Sequence, residues 1–104
     1  MKKITREIKP VMYSVIRSRV RELIENFRGE ILYEEKEKLY GPFEKTDFIV
    51  ANLNGGYTLV FNGCLNGRET KFDLILSGGN GEERVEQGIE SIINLCEPAE
   101  KPAN

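Results

Sequence analysis

A chain of 104 residues is the size of one domain, able to bury a core without disulfides or metals. Its composition, 39% hydrophobic and 31% charged, is that of a water-soluble globular protein, and no apolar run approaches the ~18 residues of a membrane span. The absence of histidine excludes the commonest general base, every Cys-His or Ser-His pair and most zinc sites.

Charged residues interleave with apolar ones directly after Met1-Lys2-Lys3, unlike a signal peptide, so the cytoplasm is the expected location and a membrane is not an expected partner. Cys64 and Cys96 have no metal-like spacing and read as buried free thiols; neither metal nor cofactor is expected. The net charge of −2 divides unevenly. Residues 1–28 hold eight Lys/Arg against three Glu, and the remainder holds seven against fourteen Asp/Glu. This polarity is the main clue to partners.

From Pro10 to Phe27, Val11, Met12, Val15, Ile16, Val20, Leu23, Ile24 and Phe27 recur at the spacing of one broad helix face, and Gly29 is a natural stop. Residues 5–9 read as an irregular lead-in or a kinked first turn, because Pro10 belongs near a helix start. Projection at 3.6 residues per turn gathers Arg17, Arg21 and Arg28 on one flank, with Tyr13 on its border. The flank is either a ridge for a phosphate or an acidic protein, or an ordinary solvated edge. Arg19 projects into the apolar stripe, where it must snorkel or meet a carboxylate.

Glu30 to Glu35 reads as a first strand of charged, edge-like character. Lys36 to Thr46 is then a long loop carrying Leu39-Tyr40-Gly41-Pro42-Phe43, whose Tyr40 and Phe43 either form a contact surface or cover the sheet end. Asp47 to Leu53 is the second strand. Asn54-Gly55 and Asn66-Gly67 each have the chemistry of a two-residue type I′ turn. Closed that way, the first turn pairs Phe48 with Phe61 and Val50 with Leu59; the second pairs Phe61 with Phe72 and Leu59 with Leu74. The expected core face therefore carries Phe48, Phe61 and Phe72. Ile49, Val60 and Ile75 fall on the opposite face as an apolar strip, a candidate dimer interface.

Ser77 to Gly81 breaks the fourth strand, and Asn80 is the expected N-cap of a helix whose buried face is Val85, Ile89, Ile92, Ile93 and Cys96. The glycine-rich loop is not read as a phosphate cradle: no Lys-Ser/Thr follows it, and Glu82 and Glu83 already occupy the positive helix end. Glu83, Glu86 and Glu90 make an acidic flank. It either faces the arginines of the first helix or, as the preferred arrangement, points outward with them as a bipolar surface. Residues 98–104 read as a flexible tail after a single domain spanning 1–97.

The expected fold is an α+β two-layer sandwich: N-terminal helix, four-stranded mainly antiparallel meander, C-terminal helix. The expected function is binding rather than catalysis, as a small interaction or regulatory module, such as an inhibitor carried by a mobile element. Its partner-binding residues would be Tyr13, Arg17, Arg21, Arg28, Tyr40 and Phe43. Nucleic-acid binding through the basic N-terminal helix is the second reading, and small-ligand binding beside the 36–46 loop the third.

Overall fold

The computed structural model describes residues 1–39, 44–66 and 69–96. They form an α+β fold with five strands, β1 (Lys2–Glu7), β2 (Glu30–Leu39), β3 (Lys45–Leu53), β4 (Tyr57–Leu65) and β5 (Thr70–Gly78), and two helices, α1 (Tyr13–Asn26) and α2 (Glu83–Cys96). The sheet is antiparallel throughout, in the order β1-β5-β4-β3-β2. Among the described residues no helix is long and apolar enough to cross a membrane.

β1 is the strand that sequence reasoning missed. Lys2 to Glu7, followed by a single 3-10 turn at Pro10–Met12, pairs along β5 from Lys2–Leu76 to Glu7–Lys71. Ile4 is its one core residue, and the charged positions around it suit a sheet edge. β2 and β3 are longer than expected, so the connection between them shrinks. Two irregularities interrupt their ladder, one at Leu32 between the Ile31–Ala51 and Tyr33–Val50 pairs, and Leu32 is left 53% exposed.

The turn between β3 and β4 contains three residues, because Leu53 pairs with Tyr57. Gly55 and Gly56 both hold positive φ, 95° and 83°, a conformation that costs other residues steric energy. One extra turn residue reverses the side-chain parity of β3 relative to the expected pairing. Ile49, Ala51 and Leu53 are buried beside Phe61, Leu59 and Tyr57, while Phe48 and Val50 turn to the other face. The β4–β5 register is also shifted, by two residues, with Phe61 opposite Leu74 and Leu65 opposite Thr70. A two-residue slip keeps the same face, so Phe61, Leu59, Phe72 and Leu74 stay buried as expected. Gly67 lies outside the described residues.

Both helices cover the face bearing Phe61. Ile16, Val20, Leu23 and Ile24 of α1 and Val85, Ile89, Ile92 and Ile93 of α2 join the strand residues in one core. The buried stripe of α1 is rotated from the expected one: Tyr13 is 5% exposed, and Val11 and Val15 are 75% and 37% exposed. Its C-terminus is a Schellman motif, with Arg28 N–H on Glu25 O and Gly29 N–H on Ile24 O. Arg28 rather than Gly29 takes the left-handed φ, at 53°. Gly29 is needed for space instead, since a Cβ there would stand 2.7 Å from Ile24 and 2.8 Å from Leu53. Likewise Gly88 makes room for α1, not for the sheet: its Cβ would lie 2.4 Å from Leu23 Cδ1. α2 starts three residues after Asn80, and the Tyr57 hydroxyl accepts the Glu82 N–H at 2.5 Å.

Two substitutions test this packing. Phe61, fully buried and 5.8 Å from Phe72 between ring centroids, should cost about 3–5 kcal/mol when changed to Ala; a melting temperature near that of the parent would contradict its central position. Thr70 Oγ1 is buried and has no hydrogen-bond partner among the described residues. Thr70→Val removes that unsatisfied hydroxyl and should stabilise by about 1 kcal/mol, which denaturant unfolding would read as a higher midpoint.

Candidate functional site

Two places in the fold gather the residues that sequence reasoning marked. The first is the sheet face that the helices leave bare. Cross-strand pairing lines up Lys3, Ile75, Val60, Val50 and Tyr33 in one row across all five strands. Val60 sits on the middle strand, and Ile75 and Val50 flank it. Tyr33 is 51% exposed and stacks edge-on to Phe48 at 5.9 Å. The neighbouring row is polar, with Thr5, Asp73, Asn62 and Glu35 around Phe48. Val60 and Ile75 therefore lie where expected. Ile49 does not: it is 1% exposed in the core, and Val50 takes its place on the bare face because of the parity change in β3.

The second place lies under the start of α1. Asp47, 1% exposed, is directed into the helix-covered side of β3. The opposite position on β4 is Gly63, where a Cβ would come within 2.6 Å of the Tyr13 hydroxyl. That missing side chain is the seat of the Tyr13 ring. Tyr13 donates its phenolic hydrogen to Asp47 Oδ2 at 2.6 Å, and Arg17 donates from Nη1 to Asp47 Oδ1 at 3.2 Å. A carboxylate in an apolar layer is costly unless paired and hydrogen-bonded, and here it is both. Burial, reinforced by the hydrogen bond to Asp47, pushes the Tyr13 phenol well above its ordinary range. Tyr13 thus stays a neutral donor. Beside this group opens a cleft of about 220 Å³, lined also by Pro10, Ser14, Lys45 and Leu65.

The charged flanks neither face each other nor form free outward ridges. Arg17 pairs with Asp47 and Arg21 with Glu34, so both turn toward the sheet. Glu86 and Glu90 lie 3.2 and 3.9 Å from Lys2 on β1. Arg28 is exposed beyond the helix end, and Arg19 meets Glu22 at 3.9 Å. Tyr40 and Phe43, and the tail expected at 98–104, lie outside the described residues. Cys64 and Cys96 are half-buried thiols, not a disulfide; burial and the adjacent Glu44 charge push the Cys64 thiol up, away from the reactive thiolate. Among the described residues no three Cys, Asp or Glu side chains lie close enough together to hold a metal ion.

Asp47 was the residue hardest to find from sequence, because a two-residue turn after Leu53 puts it with Ile49 on the face away from the core. The signal available was Gly63, a glycine inside a strand, which marks a close approach by another group.

The Tyr13–Asp47 bond should appear as a pH-dependent stability. With its folded pKa raised, Tyr13 contributes fully below the ordinary phenol value of about 10, and the contribution is lost as pH climbs above it, because only the unfolded chain releases the proton. Tyr13→Phe should cost about 1.5–3 kcal/mol near neutral pH and flatten the alkaline fall in stability; equal alkaline slopes in parent and variant would contradict the buried bond. No protein-family model, curated protein or solved structure matches this chain.

Proposed function

We propose that this protein is a binding module rather than an enzyme, that it works through the bare face of its sheet, and that the occupant of that face is a second copy of the chain. The observation that carries the reading is the row Ile75, Val60, Val50 and Tyr33, an apolar band on the sheet face that neither α1 nor α2 covers.

The size of the face supports it. Five strands spaced ~4.8 Å apart, at ~3.3 Å per residue, and nine residues long in β3, β4 and β5, give roughly 700 Å². That is close to the ~800 Å² each partner contributes to a standard interface. Its order is also self-complementary. A two-fold axis along the strand direction over Val60 places Val60 on the partner's Val60 and Ile75 on the partner's Val50. The β1 edge with Lys3 then meets the partner's Tyr33 and Glu35, an ammonium over an aromatic ring beside a carboxylate. β1 against β1 would instead bring like charges together.

The regulatory role follows from the same surface. A domain that buries one face against itself can exchange that partner for another protein with a similar apolar band, and so act by occupancy. The basic-helix route to nucleic acid finds less support, since Arg17 and Arg21 each hold a carboxylate of the sheet.

Sedimentation velocity tests the proposal. The parent should sediment as a dimer, and Val60→Lys as a monomer with an unchanged circular dichroism spectrum. A parent that remains monomeric at millimolar concentration, or a Val60→Lys dimer, would overturn it.

A further inference from the structure

We infer that Asn80-Gly81, in the loop between β5 and α2, is a self-modification site: the Gly81 backbone nitrogen closes on the Asn80 side chain, and the asparagine ages through a cyclic imide to aspartate and isoaspartate ahead of every other Asn-Gly pair in the chain. The inference is independent of the bare sheet face and of the group around Asp47.

The sequence carries four such pairs, at Asn54, Asn62, Asn66 and Asn80. Each offers the chemistry, because a following glycine leaves its amide nitrogen unshielded and lets the backbone turn toward the side chain. The fold separates them. Asn62 and Gly63 are fixed in the middle of the sheet, paired on both sides. Asn54 donates its N–H to Phe27 O at 3.0 Å, and Gly55 lies so close to Tyr57 that a Cβ would stand 3.3 Å from the ring. The Asn66 amide oxygen accepts the Glu69 N–H at 2.7 Å. Asn80 has no such restraint. It is exposed, and among the described residues no hydrogen bond holds its side chain or the Gly81 N–H. Gly81 has a φ of 79° and open space around it, where a Cβ would meet nothing within 4 Å.

The loop is pinned on either side of the pair. Gly79 donates its N–H to Gly56 O at 3.0 Å and packs on the ring of Tyr57, where a Cβ would come within 2.0 Å of Cε1. Glu82 donates its N–H to the Tyr57 hydroxyl at 2.5 Å. Asn80 and Gly81 are therefore the link between two anchors on one buried tyrosine.

When the Gly81 nitrogen attacks Asn80 Cγ, an N–Cγ bond forms, the Cγ–Nδ2 bond breaks, and the Gly81 proton leaves with the side-chain nitrogen as ammonia. Water then opens the imide. Addition at Cγ gives aspartate in an ordinary backbone, and addition at the main-chain carbonyl gives isoaspartate, whose backbone runs through the former side chain. Both products add a negative charge. Isoaspartate also adds a main-chain carbon, about 1.5 Å of chain, between the Gly79 and Glu82 anchors, so the contacts with Tyr57 must shift.

The experiment is peptide mapping of the full chain by mass spectrometry during incubation in warm neutral buffer, with electron-transfer fragmentation to tell isoaspartate from aspartate. In the folded protein Asn80 should convert several-fold faster than Asn54, Asn62 or Asn66, and denaturant should bring the four rates together. Equal rates in the folded chain, or another asparagine converting first, would overturn the proposal. So would a preference for Asn80 that survives denaturant, since local sequence would then set it. Asn80→Asp carries the charge without the extra carbon and should melt with the parent, whereas the chromatographically separated isoaspartyl protein should melt lower. Isoaspartyl protein as stable as Asn80→Asp would overturn the placement of the pair between two anchors.

Discussion

Gly55 and Gly56 return β3 to β4 through three residues, and the side-chain order of the whole sheet depends on that turn. In a strand the faces alternate residue by residue, so the turn length decides which half of β3 enters the core. With three turn residues, Asp47, Ile49, Ala51 and Leu53 point toward the helices, and Thr46, Phe48, Val50 and Asn52 point away. The core gains Ile49 and Ala51 against Phe61 and Leu59. It also receives Asp47, a charge that demands a partner. Gly63 across the ladder and Tyr13 and Arg17 from α1 answer that demand.

The same turn shapes both the bare face and the cleft under α1. Outward-facing Val50 completes the apolar row across the bare face and brings Phe48 beside Tyr33. Inward-facing Asp47 anchors Arg17 at the wall of the cleft. Uneven charge along the chain is thereby converted into local pairs between layers: Arg17 with Asp47, Arg21 with Glu34, and Lys2 with Glu86. Exposed ones among them, such as Lys2–Glu86, stabilise weakly. Their consequence here is to fix where each helix stands over the sheet.

The parts legible in the sequence were those with long, unambiguous periodicity. Val85, Ile89, Ile92 and Ile93 were read correctly as one buried face, as were the two layers and the alternation in β4 and β5. β3 misled because both of its faces are apolar: Phe48 and Val50 fit a core as well as Ile49 and Ala51 do, so only turn length could choose. The second glycine after Asn54 was the clue to a three-residue turn. In β4–β5, burial fixed parity but left a two-residue slip open. β1 gave almost no signal, since a charged edge strand with one buried residue, Ile4, resembles a lead-in to a helix. Sequence reasoning put Val60 and Ile75 on the bare face and Tyr13 and Arg17 on one flank of the helix, but the placement of Asp47, Val50 and Tyr33 needed the register.

The central claim is that the register leaves one apolar band on the bare face and that two copies meet across it. Isotope-filtered NOE spectroscopy on an equimolar mixture of labelled and unlabelled protein tests this most directly, because it sees only contacts between chains. The account predicts intermolecular NOEs between the methyl groups of Val60 and the partner's Val60, between Ile75 and the partner's Val50, and between Lys3 and the partner's Tyr33. Intermolecular NOEs confined to the sheet edges or helices, or none under conditions where the protein is dimeric, would contradict it.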